Sequence, residues 1–315
     1  MSSFANYGPV TTREFAQGAF TLVNCGTIRL FRPLNWLMLE PAATEILVLE
    51  RGRADRHYWR DLWHYRELLY FLARRDVAVR YKQTLIGIAW AVIRPLATVV
   101  VFTLVFGRIA NLPSDGVPYS LLVFAGMLPW FFFSSALSES SNSLISNGNL
   151  LSKVYFPRLL VPAAAIAVAF VDFAIGFVLL LLTMAWFGYM PTIRILALPP
   201  LVVLAVGAAF GLGLWFSSLN VKYRDFQFVI PFLLQFGLYA SPIGFSTTVI
   251  PDRWRLLYSL NPMVGVIETF RWALLGSAFT LRVDALLLSA IFTLALLASG
   301  LWFFRRSERS FADVI

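Results

Sequence analysis

The residues able to do chemistry in this chain are few, which makes each informative. Charges inside the long apolar runs are few, and Arg94, Glu139 and Asp172 are the informative ones. A basic set, Arg74, Arg75, Arg80 and Lys82, stands just before the first of those runs. Guanidinium and ammonium groups in that place suit an anionic headgroup through charge-assisted hydrogen bonds. Arg94 lies six residues into the first run, about 9 Å of helix rise. Two readings fit it: an anchor that snorkels to lipid headgroups, or a contact to an anionic substrate. Glu139, at the inner end of the second run, faces water or caps the loop that follows. Asp172 is deeper and calls for a polar contact inside a helix bundle. Acid–base chemistry by a Glu139–Asp172 pair has no support from the residues around them.

What is absent narrows the function further. Lys82, Lys153 and Lys222 are the only lysines, and none follows glycine and precedes serine or threonine, so this chain carries no P-loop. His57 and His64 are the only histidines, and no HExxH occurs. A metal site or a histidine-based triad within the apolar region is therefore not expected. The single cysteine, Cys25, permits no intramolecular disulfide and reads as a small buried or interfacial residue. The aromatic cluster Trp130, Phe131, Phe132 and Phe133 follows Pro129 near mid-run. Its rings serve either helix packing or a passage lining on which sugar faces stack. Trp186, Phe187 and Tyr189, and again Trp302, Phe303 and Phe304, read as interfacial belts.

The elements that must position these residues are set by hydropathy. Of 315 residues, 59% are hydrophobic and 14% charged, against roughly 45–50% and 25% in soluble domains. A soluble protein of this size could not cover its surface with so few charges. The net charge of +9 is spread along the chain without a block of five like charges, so a nucleic-acid partner is not indicated. Runs of bilayer length, about 20 residues, cover Ile88–Ala110, Tyr119–Glu139, Leu159–Phe187, Ile195–Leu219, Phe226–Val249 and Val283–Phe304. Between the last two, residues 253–282 contain only short apolar stretches, divided at Asn261-Pro262 and interrupted by Glu268 and Arg271. Two short helices forming a re-entrant or interfacial hairpin fit that pattern, since such backbone must be covered by protein; a seventh span is the alternative.

The expected fold is thus an all-α membrane protein with six transmembrane helices, an N-terminal amphipathic interface helix and a re-entrant helical hairpin before the last span. Basic residues near the span ends place both termini in the cytoplasm, with Arg253, Arg255, Arg271 and Arg282 of the hairpin as exceptions. No cleaved signal peptide is expected. Residues 1–57 read as a cytoplasmic extension containing a candidate strand at Glu45–Glu50. Residues 58–87 hold the amphipathic helix: Tyr65, Leu68, Leu69, Leu72 and Val79 share a face. That face suits the membrane surface or another protein surface. Residues 88–315 form the six-span unit. In the loop Ser141–Pro162, serines and asparagines suit turns and caps. There, Leu150, Leu151, Val154, Tyr155 and Phe156 with Lys153 and Arg158 offer a patch for a partner groove or the membrane.

At several points the chain resembles the permeases of polysaccharide-exporting ABC transporters. Arg80-Tyr81-Lys82-Gln83-Thr84-Leu85-Ile86-Gly87, then Trp90 and Pro95-Leu96, is similar to the entry to their first span. Asn149, Leu150, Leu151, Lys153, Val154, Tyr155, Phe156 and Pro157 resemble their ATPase coupling segment. Val221-Lys222-Tyr223-Arg224-Asp225, Ser241-Pro242-Ile243 and Leu260-Asn261-Pro262-Met263 resemble later signatures, in order, over roughly residues 60–315. The resemblance implies a homodimer of this chain with two ABC ATP-binding subunits, which would hold ATP and magnesium, this chain holding no cofactor. It implies residence in a bacterial cytoplasmic membrane, among membrane lipids. The implied cargo is a lipid-linked (undecaprenyl diphosphate) polysaccharide such as O antigen, capsule or teichoic acid. By the same resemblance the helix near 61–80 is a gate or interface helix, 142–157 the coupling region, and rings such as Trp90 and Trp130 to Phe133 a channel lining. A membrane-embedded glycan-processing enzyme and an ATPase-independent channel or scaffold are the other classes that the residues alone leave open.

Overall fold

The computed structural model describes residues 54–82, 87–151, 153–154, 156–276, 279–308 and 311. The N-terminal extension up to residue 53, with Cys25 and the candidate strand, lies outside them, as does Tyr155. The described residues belong to one unit, Gly52–Ile315. Its helices are α1 Ala54–His64, α2 Arg66–Lys82, α3 Gly87–Phe102, α4 Tyr119–Ser146, α5 Gly148–Leu151, α6 Leu160–Trp186, α7 Leu198–Lys222, α8 Phe226–Ala240, α9 Asp252–Tyr258, α10 Pro262–Leu275 and α11 Val283–Glu308. A π-helical stretch, Thr103–Ile109, prolongs α3.

Among the described residues, five helical stretches are long and apolar enough to cross a membrane: Ala89–Ile109, Tyr119–Ser146, Leu160–Trp186, Ile193–Lys222 and Val283–Glu308. The expected span at Phe226–Val249 is different. Its helix, α8, has only 15 residues, about 22 Å of rise against a hydrocarbon core of about 30 Å. The cause is Pro242, which has no N–H to continue the ladder and forces Ser241 into an extended conformation (φ −102°, ψ 152°). The second span, by contrast, runs seven residues past its expected end at Glu139. Its polar residues do not open a turn, because their side chains bond back to carbonyls one turn earlier. Ser141 donates to Leu137 O at 2.6 Å, Asn142 to Ser138 O at 2.9 Å and Ser146 to Asn142 O at 3.0 Å.

α4 is the central helix. Every residue from Leu121 to Trp130 is buried, enclosed by α3, α6, α7, α8 and α10. A helix apolar all round has no face to leave in solvent. A second, smaller core gathers at the α1 end: Tyr58, Leu72, Leu144, Leu151, Phe156, Leu159 and Phe304. α2 turns its apolar stripe toward this core and α6, with Leu72 buried and Leu68 and Leu69 half-buried. The shared face therefore meets protein at Tyr65, Leu68, Leu69 and Leu72, while its last member, Val79, is exposed, as are Trp63, Tyr70 and Phe71.

Residues 253–282 hold two short helices divided at the expected break. The Asn261 side chain caps α10 by accepting the Met263 N–H at 3.0 Å, and Pro262 occupies the first helical position, where no N–H is missed.

Candidate functional site: the α2–α4–α6 crossing and the 147–158 loop

The loop after α4 is held at both ends and packed in the middle. Asn147 ends α4, and its side-chain oxygen accepts from Arg75 of α2. α5 is a single turn whose Leu151 enters the smaller core together with Phe156. Asn149, Lys153 and Val154 are exposed, and Leu150 is half-buried. Pro157 is buried, and the Arg158 backbone N–H donates to Glu308 Oε1 at 3.1 Å. The candidate partner patch is thus divided: Leu151 and Phe156 serve the fold, while Asn149, Lys153 and Val154 form the available surface.

The basic set is also divided. Arg80, at the end of α2, reaches Glu139 of α4 at 2.8 Å and Asp172 of α6 at 2.9 Å. Two carboxylates from different helices suit the two-sided fork of one guanidinium. The Tyr81 hydroxyl donates to Asp172 as well. Burial, reinforced by that carboxylate, pushes the hydroxyl above its ordinary range, so it stays a donor. Glu139 and Asp172 do come together, but around an arginine rather than as an acid–base pair. Arg75 bonds Asp76 at 2.7 Å in addition to Asn147. Arg74 is exposed. Arg94 is exposed too, with its guanidinium 5.7 Å over the Phe131 ring. The side chain of Lys82 lies outside the described residues.

Most of the aromatic cluster is enclosed within the protomer. Trp130, Phe132 and Phe133 are 4%, 2% and 5% exposed, in the main core of the protomer. Phe132 sits between Phe170 and Phe173 at 4.9 and 5.2 Å, and Trp130 leans on Gly237 of α8, where a Cβ would come within 2.6 Å of the indole. Their helix is the central one, so a ring on most of its faces meets another helix. Phe131 is half-buried and Trp90 is 61% exposed, which leaves Trp90 as the accessible ring of the set.

Arg271 holds a place that hydropathy gave no means to assign. It is 1% exposed and donates to three main-chain carbonyls: Leu122 at 3.1 Å, Phe245 at 2.9 Å and Ile243 at 2.7 Å. The Ser241-Pro242 break frees carbonyls that no helix ladder satisfies, and Arg271 supplies their donors. The readable signal was the pairing of a lone arginine in an apolar helix with a proline break elsewhere.

Long apolar helices, with two short helices before the last of them and a loop braced on two sides, define a polytopic membrane protein. The chain belongs to the ABC-2 type transporter family, which residues 67–275 match. It is a transporter permease, not itself catalytic. It is 27% identical over 214 residues (67% of this chain, 82% of the relative) to "O-antigen export system permease protein RfbA" of Myxococcus xanthus. A protein of the same name from Klebsiella pneumoniae is 24% identical over 250 residues, 79% of this chain and 95% of the relative. "Polysialic acid transport protein KpsM" of Escherichia coli is 26% identical over 237 residues, 75% and 92% of the two chains.

Proposed function

We propose that this chain is the transmembrane subunit of an ATP-driven exporter that moves a lipid-linked polysaccharide across a bacterial cytoplasmic membrane. The reading rests on family membership and on relatives named for O-antigen and polysialic acid export. Among structural features, the braced 147–158 loop, with Asn149, Lys153 and Val154 turned outward, supports it most directly. In this reading α8 is a shortened fifth of six spans, residues 253–282 form a re-entrant hairpin, and both termini are cytoplasmic. Two copies pair, and each receives one ATP-binding subunit, which carries ATP and magnesium. The exposed apolar sides of α3 (Trp90, Val100, Val101) and α8 (Phe228, Phe232, Phe236) suit burial against a second copy or lipid.

The diphosphate of the cargo meets the exposed basic groups Arg74 and Arg94, and Lys82 is the remaining basic residue of the set. Arg80 contributes from a different position: already shared by Glu139 and Asp172, it anchors the end of α2. Arg80→Glu should therefore reduce glycan export, and the swap Arg80→Glu with Glu139→Arg should recover much of it, read as surface glycan at equal membrane levels of the permease. A swap as defective as the single variant would instead make Arg80 a direct cargo ligand.

Purification in mild detergent from the native host, with mass spectrometry and a hydrolysis assay, tests the central reading. An equimolar P-loop subunit with ATPase activity is expected. Lys153→Glu with Val154→Asp, on the outward side of the loop, should weaken its retention about tenfold or more, as for central interface residues. Recovery of the wild-type chain without a P-loop subunit would overturn the exporter and return the field to a channel or a membrane enzyme.

A further inference from the structure

The 147–158 loop is fastened to the far end of the chain as well as to α2. The last turn of α11 comes against it: Glu308 Oε1 accepts the Arg158 N–H at 3.1 Å, and the Glu308 carbonyl accepts from the Arg158 guanidinium at 3.2 Å. The same guanidinium stands 5.8 Å over the Phe311 ring, which packs edge-on against Phe304 at 5.6 Å. One turn before Glu308, Arg305 lies 4.8 Å over the Tyr58 ring of α1. Phe304 and Phe311 are buried in the core that receives Leu151 and Phe156 from the loop.

α11 is in turn joined to α7 by direct backbone approach at one point and by side chains beside it. At Gly300 an added Cβ would stand 2.3 Å from the carbonyl oxygen of Gly211. The Trp215 and Phe303 rings stack at 4.0 Å, and the Trp215 indole N–H donates to Ser299 at 3.2 Å. A displacement of the loop exit is thus passed to a rigid helix pair, provided the link at Glu308 holds.

We propose that Glu308 is a positioning residue of the ATPase coupling loop: by accepting the Arg158 N–H it ties the loop exit to the α11–α7 pair, so that movement of the loop moves those helices. The Asn147–Arg75 contact makes the corresponding tie at the loop entrance, to α2. The loop therefore drives two helix groups rather than one. The inference rests on the reading of 147–158 as the segment that meets an ATP-binding subunit. Phe156 and Leu151 carry the loop's packing, so cutting the tie at Glu308 should loosen the loop without unfolding it.

The test uses the full complex, reconstituted in proteoliposomes or followed in cells, and reads glycan exported per ATP hydrolysed. In Glu308→Ala the ATP-binding subunit should still co-purify at the wild-type ratio. Export per ATP should fall about tenfold, the scale of one lost hydrogen bond to a charged group. Glu308→Gln keeps an oxygen for the Arg158 N–H and should recover most of the coupling. Should Glu308→Ala fail to accumulate, Glu308→Asp, which withdraws the oxygen by one methylene, gives the same reading. An unchanged ratio in the alanine variant, or a glutamine variant as uncoupled as alanine, would overturn the role given to Glu308. Absence of any ATP-binding subunit from the wild-type preparation would overturn the coupling loop itself, a failure distinct from that of Glu308.

Discussion

Membranes from cells expressing Arg271→Ala should contain little folded protein. The guanidinium is buried and donates to carbonyls of Leu122, Ile243 and Phe245, which belong to α4 and to the segment after the α8 break. Those carbonyls have no water to turn to inside the molecule. An orphaned buried acceptor costs about 1–3 kcal/mol. Ile243 and Phe245 would lose their donor outright, while Leu122, inside α4, keeps its place in the helix ladder. Two such losses are a large part of the stability of a typical domain, about 5–15 kcal/mol. Arg271→Met separates the two contributions. It keeps most of the volume but no donors, so it should fail nearly as badly as alanine. Arg271→Lys brings donors on one nitrogen instead of a planar fork spread over three, and should fall between. Fluorescence-detected size exclusion of extracts, with thermal midpoints, reads all three. A methionine variant with the wild-type midpoint would show that the three hydrogen bonds contribute little.

Gly300→Leu should be comparably damaging, for a reason that involves no polar group. In a membrane, helices associate through close packing, and small residues let their backbones approach. A Cβ at Gly300 would meet the Gly211 carbonyl oxygen at 2.3 Å and its carbon at 3.0 Å; a Cβ at Gly211 would meet the Leu296–Leu297 backbone at 2.7 Å. Backbone cannot rotate aside as a side chain can, so α7 and α11 must separate. Overpacking by a single methyl costs about 1–3 kcal/mol, which is the expectation for Gly300→Ala, and leucine should exceed it. Separation would also break the Trp215–Phe303 stack beside it. Thermal midpoints of the extracted protein give the stability, and a disulfide engineered across α7–α11 should form more slowly in the leucine variant. A leucine variant that melts with the wild type would mean that these helices part readily.

The two cases mark where reading the chain as letters ends. Apolar runs in a chain with 14% charge have one physical outlet, helices that satisfy their own backbone in lipid. Four of the six expected spans therefore stand within a few residues of their expected bounds. The second expected span exceeds its bound because serine and asparagine satisfy themselves locally along a helix as readily as in a turn. The span expected at Phe226–Val249 stops short at Pro242, and a proline break is visible in sequence while its effect on span length is weighed only in three dimensions.

By itself the sequence determined the number of apolar runs, the two short helices divided at Asn261-Pro262, the absence of a P-loop and, through ordered motifs, the transporter family. Only the tertiary structure decided what each charge and ring packs against. Arg80 and Arg94 are both arginines near the start of one apolar run, yet one is shared by Glu139 and Asp172 and the other lies exposed over Phe131. Trp130 and Trp90 are both tryptophans of the apolar region, yet one is core and the other 61% exposed. The difference lies in partners 59 and 92 residues away for Arg80, and 107 residues away where Trp130 meets Gly237. Periodicity reports which way a side chain points from its own helix. It carries no information about which helix stands opposite, and that neighbour sets whether a charge is paired and whether a ring is buried.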